Sequence, residues 1–155
     1  MKSSATDEAV LVIGYGNSLR RDDGAGLILA EKIAAVWQQE GRAVTLLASH
    51  QLEPEIAEEI AATGAGVVLF VDTAATTADG PHDIRLAPVV ADEHSPSLGH
   101  HFSPALLMLY ARSLYGYEGA AWLLTIPGYD FDHGEGLSEP TQRLLAAFSP
   151  ADLPF

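Results

Sequence analysis

Short apolar runs alternate along the chain with longer segments in which apolar residues recur at helical spacing. The short runs are rich in β-branched and aromatic residues and predict five strands, over residues 10–13, 44–48, 67–71, 84–86 and 122–126. The longer segments predict four helices, over residues 25–39, 54–63, 104–114 and 138–148. Ser103 and Pro104 suit the cap and the first turn of the third helix. Residues 88–99 lack periodicity and predict a loop.

The alternation of strands and helices determines the expected fold class. We predict one α/β domain with a mostly parallel, twisted sheet and helices on both of its faces. In such sheets, ligands bind beyond the carboxyl ends of the strands, where the winding direction of the chain reverses. The segments in which to search for chemistry are therefore 14–26, 48–53, 72–78 and the loop before Pro104.

Composition narrows the classes of function. Eight basic residues against 21 acidic ones give a net charge of −13, which disfavours nucleic acid and anionic membranes as partners, although solubility alone also explains it. The longest apolar run, over residues 65–75, is interrupted by polar residues and is too short to span a bilayer. Residues 1–8 lack a hydrophobic signal region. The absence of cysteine excludes disulfides, a cysteine nucleophile and thiolate ligands. We expect a cytoplasmic protein.

The junction of the first strand and the first helix carries the most distinctive motif, Gly-Tyr-Gly-Asn over residues 14–17 followed by Asp-Asp-Gly-Ala-Gly over residues 22–26. Glycines at this place are typical of a dinucleotide-binding turn. However, Leu19 replaces the third glycine of that fingerprint, and Asp22 and Asp23 would repel a pyrophosphate at the helix start. A pair of carboxylates there suits a cation. Helix capping explains one of these acids, which leaves the other available.

Other residues that can carry chemistry follow the later elements. Asp72 ends an apolar strand, His50 follows the second strand, and His100 and His101 lie just before Pro104. Singly, such an aspartate accepts hydrogen bonds from a loop, and such histidines are solvated. Together, two carboxylates and an imidazole form a set suited to a divalent first-row metal with open positions. They are too few for a closed cage, so the site would suit a metal whose other ligands belong to another molecule.

Further motifs follow the first one in a fixed order: Val-Asp-Thr-Ala over residues 71–74, His-His-Phe-Ser-Pro-Ala over 100–105, and Thr-Ile-Pro-Gly-Tyr over 125–129 with 134–138. Together these segments resemble the nickel–iron hydrogenase maturation endopeptidases, from about residue 10 to residue 148. The first motif is specific and the others support it. The resemblance implies that residues 1–155 form a single hydrogenase maturation protease-like domain, in which residues 1–8 are a flexible N-terminus.

The resemblance also implies a set of metal ligands. The family binds nickel through an acid just before the glycine of the first motif, an aspartate after the middle strand, and a histidine before the next helix. By position these are Asp23, Asp72 and His100, with aspartate at a place where many members have glutamate. His101 and His50 are weaker metal candidates, and His50 lies where contacts to the substrate are expected. Asp23 and Asp72 are also the candidate catalytic residues, each as a ligand or as a general base.

The reaction implied by the resemblance is a hydrolysis. The partner would be the large-subunit precursor of a nickel–iron hydrogenase with nickel already bound, and the peptidase would dock on that nickel and remove the C-terminal extension. The nickel would come with the substrate and would serve recognition or act as a Lewis acid. The sequence has no Gly-x-Ser-x-Gly elbow and no His-Glu-x-x-His motif, which disfavours a standard serine or zinc protease. We expect a monomer that binds no nucleic acid and no membrane.

Three alternatives stay open at this point. A Rossmann-type nucleotide-binding enzyme would have a higher melting temperature with an adenosine nucleotide bound. A non-catalytic nickel-sensing module would use the same three ligands but would leave a metallated precursor uncut. A plain α/β scaffold, with capping acids and solvated histidines, would show no response to metal.

Overall fold

The centre of the molecule is a five-stranded sheet. A computed structural model of the chain describes residues 8–77, 79–91 and 102–155. The strands are β1 (Val10–Tyr15), β2 (Val44–Ser49), β3 (Val67–Ala75), β4 (Arg85–Pro88) and β5 (Ala120–Gly128). Their order across the sheet is β2-β1-β3-β5-β4, and only β4 runs antiparallel to its neighbour within the described ranges. The predicted α/β class with a mostly parallel sheet is confirmed.

Helices cover both faces of this sheet, as predicted. They are α1 (Ala25–Gln39), α2 (Ile56–Thr63), α3 (Pro104–Tyr115) and α4 (Glu139–Ala147), with 3-10 turns at Arg21–Gly24 and Pro150–Asp152. Apolar residues of α1 and α4 form one core on the first face, and those of α2 and α3 form a second core on the other. Across the ranges that the structure describes, no helix has the length and apolar character needed to cross a membrane.

The first part of each central strand, β1 and β3, is apolar because both of its faces are covered. Every residue from Val10 to Ile13 is buried, and so is every residue from Val67 to Val71. The edge strand β2 is only half-buried. Ser103 caps α3 as predicted, since its Oγ accepts a hydrogen bond from the Leu106 amide at 3.1 Å.

The winding direction of the chain reverses between β1 and β3. From β1 the chain passes through α1 to β2 on one side, and from β2 it passes through α2 to β3 on the other side. Such a reversal opens a crevice at the carboxyl ends of the two strands. Gly14 pairs with Val71 in this register, so the next residues, Tyr15 and Asp72, lie side by side at the crevice.

Each strand is longer than the sequence predicts, and β3 and β5 exceed the prediction the most. β3 continues to Ala75 and β5 to Gly128, with Asp72 paired to Thr125. The prediction that Asp72 ends its strand is therefore wrong. The strand was predicted to end where a polar side chain follows the apolar run. The ladder continues past this point because main-chain hydrogen bonds do not depend on the polarity of the side chain. The predicted edge strand is present as β4, displaced towards the C-terminus.

Candidate functional site

A cleft of about 490 Å³ lies at the carboxyl edge of β1, β2 and β3. Four segments line it: residues 15–23 in part, 50–52, 72–73, and 102–104 at the start of α3. This is the edge at which the sheet topology predicts a ligand site. The cleft therefore brings together the ends of several elements that are far apart in the sequence.

Asp23 lies at this cleft on the 3-10 turn that precedes α1. Its Oδ2 accepts a hydrogen bond from the Asn17 amide at 2.8 Å, which fixes the carboxylate against the loop after β1. Gly16 lies directly beneath this turn with φ of +147°, and a Cβ there would lie 2.2 Å from the Asp23 carbonyl oxygen. Only glycine fits at that position. Gly16, the second glycine of the motif, thus allows the close approach of the turn that carries Asp23.

Asp72 lies beside Asp23 in the same cleft and comes from β3. Its Oδ1 accepts a hydrogen bond from the Thr73 amide at 2.8 Å, and the Tyr15 hydroxyl donates a second one. Burial raises the pKa of Asp72 to about 7, the negative charge of Asp23 adds to this effect, and the two hydrogen bonds oppose it. Burial and the Asp72 charge also raise the pKa of Tyr15, which keeps its hydroxyl protonated as a donor.

The two acids are held together by close contact between α1 and β3. The Gly26 amide donates to Thr73 Oγ1 at 2.9 Å. A Cβ on Gly26 would lie 2.9 Å from the Asp72 Cα, so a side chain at this position would push the helix away from the strand. The last glycine of the first motif therefore serves packing of helix on strand, and through it the approach of Asp23 to Asp72.

Asp22 is fully buried and faces away from this cleft site. Its carboxylate accepts hydrogen bonds from the amides of Tyr129, Asp130 and Ser138 and from the hydroxyls of Ser138 and Thr141, at 2.6–3.1 Å. Burial by itself would raise the pKa of Asp22, but these hydrogen bonds outweigh it and lower that pKa below its usual value. Asp22 thus fixes the segment between β5 and α4.

The prediction that one of the two adjacent acids caps α1 is wrong. The residue at the cap position is Gly24, and no side chain caps the helix there. The reason is the 3-10 turn at Arg21–Gly24, which places Asp22 and Asp23 one turn ahead of the helix and directs each carboxylate to a different partner. Neither acid is therefore occupied by capping, and Asp23 is available to the cleft.

A scan of the sequence against protein-family models finds no match, and a search of the curated proteins finds none either. Solved structures are similar over nearly the whole chain. The NiFe hydrogenase maturation protease HycI from Thermococcus kodakarensis KOD1 is 19% identical, with a TM-score of 0.62 over 91% of this chain and 87% of that one. The hydrogenase maturating endopeptidase HybD from E. coli is 17% identical, with a TM-score of 0.61 over 89% and 85%. The endopeptidase HycI from Escherichia coli is 20% identical, with a TM-score of 0.61 over 89% and 85%.

The chain has the fold of the NiFe hydrogenase maturation proteases.

This maturation-protease fold brings three of the predicted site residues, Asp23, Asp72 and His50, into one cleft. His50 is exposed just after β2, on the side of the sheet predicted for it. His100 and His101 lie outside the described residues. In the part of the chain that the structure describes, no three His, Asp or Glu residues form a group that could hold a metal by themselves. The donor set is therefore a pair of carboxylates, which fits a metal that keeps ligands from elsewhere.

The sequence did not indicate two further residues of the cleft, Tyr15 and Thr73. Tyr15 orients Asp72 through its hydroxyl, and Thr73 joins β3 to α1 through its Oγ1. The placement of Tyr15 beside Asp72 follows from the register of β1 and β3, because residues paired across neighbouring strands direct their side chains to the same face. The sequence does not show which strands are neighbours, so it gave no signal for Tyr15. Thr73 lies within a recognised motif, but its partner Gly26 is 47 residues away, and no local pattern connects them.

Proposed function

We propose that this chain is an endopeptidase of hydrogenase maturation, which recognises nickel held by a large-subunit precursor and removes the precursor's C-terminal extension. The observation that carries the proposal is the pairing of Asp23 and Asp72 in one open cleft at the reversal point of the sheet. The fold shared with HycI and HybD supports the same class of reaction.

The carboxylate pair suits a cation that is shared with another molecule. Asp23 uses Oδ2 for the Asn17 amide, and no hydrogen bond from the described residues engages its Oδ1. Burial is the main cause of the raised pKa of Asp72, and repulsion by the Asp23 charge adds to it. A divalent cation would replace this repulsion with attraction. Two carboxylates are a weak site alone, so we infer that the nickel arrives bound to the precursor.

The other side chains of the cleft suit the handling of a peptide. With the nickel of the precursor docked, Asp23 and Asp72 would divide the roles of ligand and general base for the water that attacks the scissile carbonyl. The Tyr15 hydroxyl holds the Asp72 carboxylate in one orientation. His50 lies at the exposed end of β2 and would contact the substrate chain.

The cleft argues against the dinucleotide alternative. In a dinucleotide site the pyrophosphate contacts backbone amides at the helix N-terminus. Here an acidic 3-10 turn precedes α1, and the Asp23 carboxylate engages the Asn17 amide of the loop after β1. An anionic ligand would meet a carboxylate at the place where it needs a donor.

The deciding experiment is incubation of the protein with nickel-loaded and nickel-free hydrogenase large-subunit precursor, followed by intact mass spectrometry. We expect loss of a C-terminal fragment from the nickel-loaded precursor alone. Cleavage of both forms would refute nickel recognition. Stable binding of the nickel-loaded form without any cleavage would identify a nickel-sensing module instead of a peptidase.

Variants of the cleft test the residue assignments in the same assay. We expect Asp23→Asn and Asp72→Asn each to lower the processing rate by at least about a hundredfold, since each removes a charge at the reacting centre. The matched control is Asp152→Asn, an exposed acid in the second 3-10 turn, outside the cleft lining. His100→Ala should abolish processing and His101→Ala should not. Processing at the wild-type rate by both Asp23→Asn and Asp72→Asn would contradict their assignment as catalytic residues.

A further inference from the structure

Arg20 is the only lysine or arginine among the described residues that line the cleft. Its main chain is fixed relative to the acids. The Arg20 amide donates to the Asn17 carbonyl at 3.0 Å, and the Arg20 carbonyl accepts from the Asp23 amide at 3.0 Å. A β-bridge to Gly134 holds the same residue from the side of the loop after β5. Arg20 is therefore a fixed point on the rim, three residues from a candidate ligand.

The guanidinium of Arg20 has no hydrogen bond or ion pair with any of the described residues. The guanidinium lies over the Phe131 ring, whose centroid is 6.0 Å from Cζ. Neighbouring cations are engaged differently. Arg21 pairs with Asp130 at 2.7 Å, and Lys32 donates to the carbonyls of α4 and its end at 2.7 Å. The Arg20 side chain is exposed, charged and supported on one face by an aromatic ring.

Arg20 is a positive charge in acidic surroundings. The protein carries a net charge of −13, and the cleft contains Asp23 and Asp72. The charges of Asp23 and Asp72 repel a carboxylate of an incoming peptide, whereas the charge of Arg20 attracts it. A guanidinium held against a ring presents its N–H groups in a planar fork, which matches a carboxylate with two parallel hydrogen bonds.

We propose that Arg20 is a specificity-determining residue that binds a carboxylate of the polypeptide extension received by the cleft. The inference rests on the proposed function in that the extension belongs to the precursor. The carboxylate has two possible sources with the same chemistry, an acidic side chain of the extension or its terminal carboxyl group. Arg20 fixes the register of the peptide relative to Asp23 and Asp72, and it takes no part in the hydrolysis.

The test compares wild type, Arg20→Gln and Arg20→Lys on a series of nickel-loaded precursors. In one arm, each acidic residue of the extension is replaced in turn by its amide. In the other arm, the terminal carboxyl group is displaced by a short added Gly-Ser segment. We expect Arg20→Gln to raise KM by about tenfold on the parent precursor with kcat nearly unchanged, and one substrate change to abolish that difference. Arg20→Lys should restore part of the loss, because it keeps the charge without the fork.

The control variant is Arg112→Gln, which removes the same charge from the end of α3, outside the cleft lining. It should leave KM within about twofold of wild type. An equal loss in Arg112→Gln and Arg20→Gln would reduce the effect to net charge and overturn the proposal. A KM for Arg20→Gln equal to that of wild type on every precursor would also overturn the proposal. So would a raised KM whose difference from wild type persists on every altered precursor.

A second readout separates this inference from the proposed function. Dissociation constants for the same precursors are measured by titration calorimetry, which needs no hydrolysis. Binding without cleavage would refute the peptidase activity. The inference on Arg20 would then be upheld if Arg20→Gln raises Kd on the parent precursor and one substrate change abolishes that difference, and it would be overturned if no such dependence is seen. Failure to bind or cleave any precursor would overturn both.

Discussion

Asp22 and Asp23 are neighbours in the chain with opposite surroundings. Asp22 is fully buried and accepts five hydrogen bonds, whereas Asp23 is partly exposed at the cleft and accepts one from the Asn17 amide. A buried carboxylate that collects several donors holds structure together, because each of those donors would otherwise be unsatisfied. A carboxylate with a free oxygen in a cleft can bind something else. At the scale of single residues, Asp22 therefore has a structural role, and Asp23 is the acid available for chemistry.

Replacing Asp22 with asparagine should therefore destabilise the fold. An amide nitrogen cannot accept the hydrogen bonds of Ser138, Tyr129 or Thr141, so some of these donors lose their partner. We expect Asp22→Asn to lower the free energy of unfolding by about 2–3 kcal/mol, measured by urea denaturation. Asp23→Asn, which keeps an oxygen for the Asn17 amide, is the matched control and should cost less than about 1 kcal/mol. Equal losses in the two variants would contradict the division of roles.

The division between these acids could not be predicted from local sequence. The hydrogen-bond partners of Asp22 lie 107 to 119 residues further along the chain. Reasoning from residue types left open which acid was engaged, and expected helix capping for one of them. The selection of Asp23 came from the family resemblance. Asp23 lines the cleft, and its role as a metal ligand stays a prediction. The assignment of His100 stays a prediction, because it lies outside the described residues.

The elements with long periodic patterns were predicted most closely. α1 has the predicted bounds, Ala25–Gln39, because its apolar positions repeat over four turns and glycines flank it on both sides. The 3-10 turn at Arg21–Gly24 was not predicted, since a turn of four residues has no period to detect. Yet this short turn places both acids. Regular elements could be read from the sequence, whereas the irregular segment that positions the chemistry required the structure.

Contact between elements gives a prediction of its own. Gly26→Ala would place a methyl group against the main chain of Asp72 and Thr73, at 2.9–3.1 Å, so α1 must move away from β3. We expect a loss of about 1–3 kcal/mol in the free energy of unfolding, and a lower processing rate because Asp23 moves relative to Asp72. Ile28→Ala, at an exposed position near the start of the same helix, is the control. Unchanged stability and processing in Gly26→Ala would show that the contact is not required.

At the scale of the whole molecule, the two edges of the sheet differ in character. The carboxyl edge holds the cleft and its acids. At the amino edge the Tyr117 hydroxyl donates to the Ala65 carbonyl at 2.6 Å, which joins the end of α3 to the start of β3. Burial, together with the Glu8 charge and against that of Arg112, raises the pKa of Tyr117 to about 12. The amino edge is thus stabilised by a hydrogen bond from the neutral Tyr117 hydroxyl.

This hydrogen bond predicts how stability responds to alkaline pH. The pKa of Tyr117 is higher in the folded state than the ordinary tyrosine value of 10.0. The contribution of the protonated Tyr117 to the free energy of unfolding is therefore complete below pH 10 and is lost as the pH rises towards about 12. We expect the free energy of unfolding to fall less steeply over this range in Tyr117→Phe than in wild type, measured by urea denaturation at each pH. Tyr115→Phe, at an exposed position, should follow the wild-type curve. Parallel curves for wild type and Tyr117→Phe would contradict this account.

The order of the strands was the least accessible global property. The sequence predicted a mostly parallel sheet, since apolar runs alternate with helices. The reversal between β1 and β3 depends on which side of β1 each crossover returns to, and no residue pattern encodes that choice. The general rule that sites lie at carboxyl strand ends nevertheless located the cleft segments, because it holds for either order.

The hydrogen bonds of Asp22 also bear on how the protein comes into being on the ribosome. The acids of the first loop are made before the amides and hydroxyls that hold Asp22, which belong to residues 129–141. Synthesis proceeds from the N-terminus, and domains fold as units once their chain has emerged. A nascent chain therefore carries Asp22 long before the donors to its carboxylate exist, whereas Asn17, the partner of Asp23, is made first. The hydrogen bonds of Asp22 thus form only after residues 129–141 have been made.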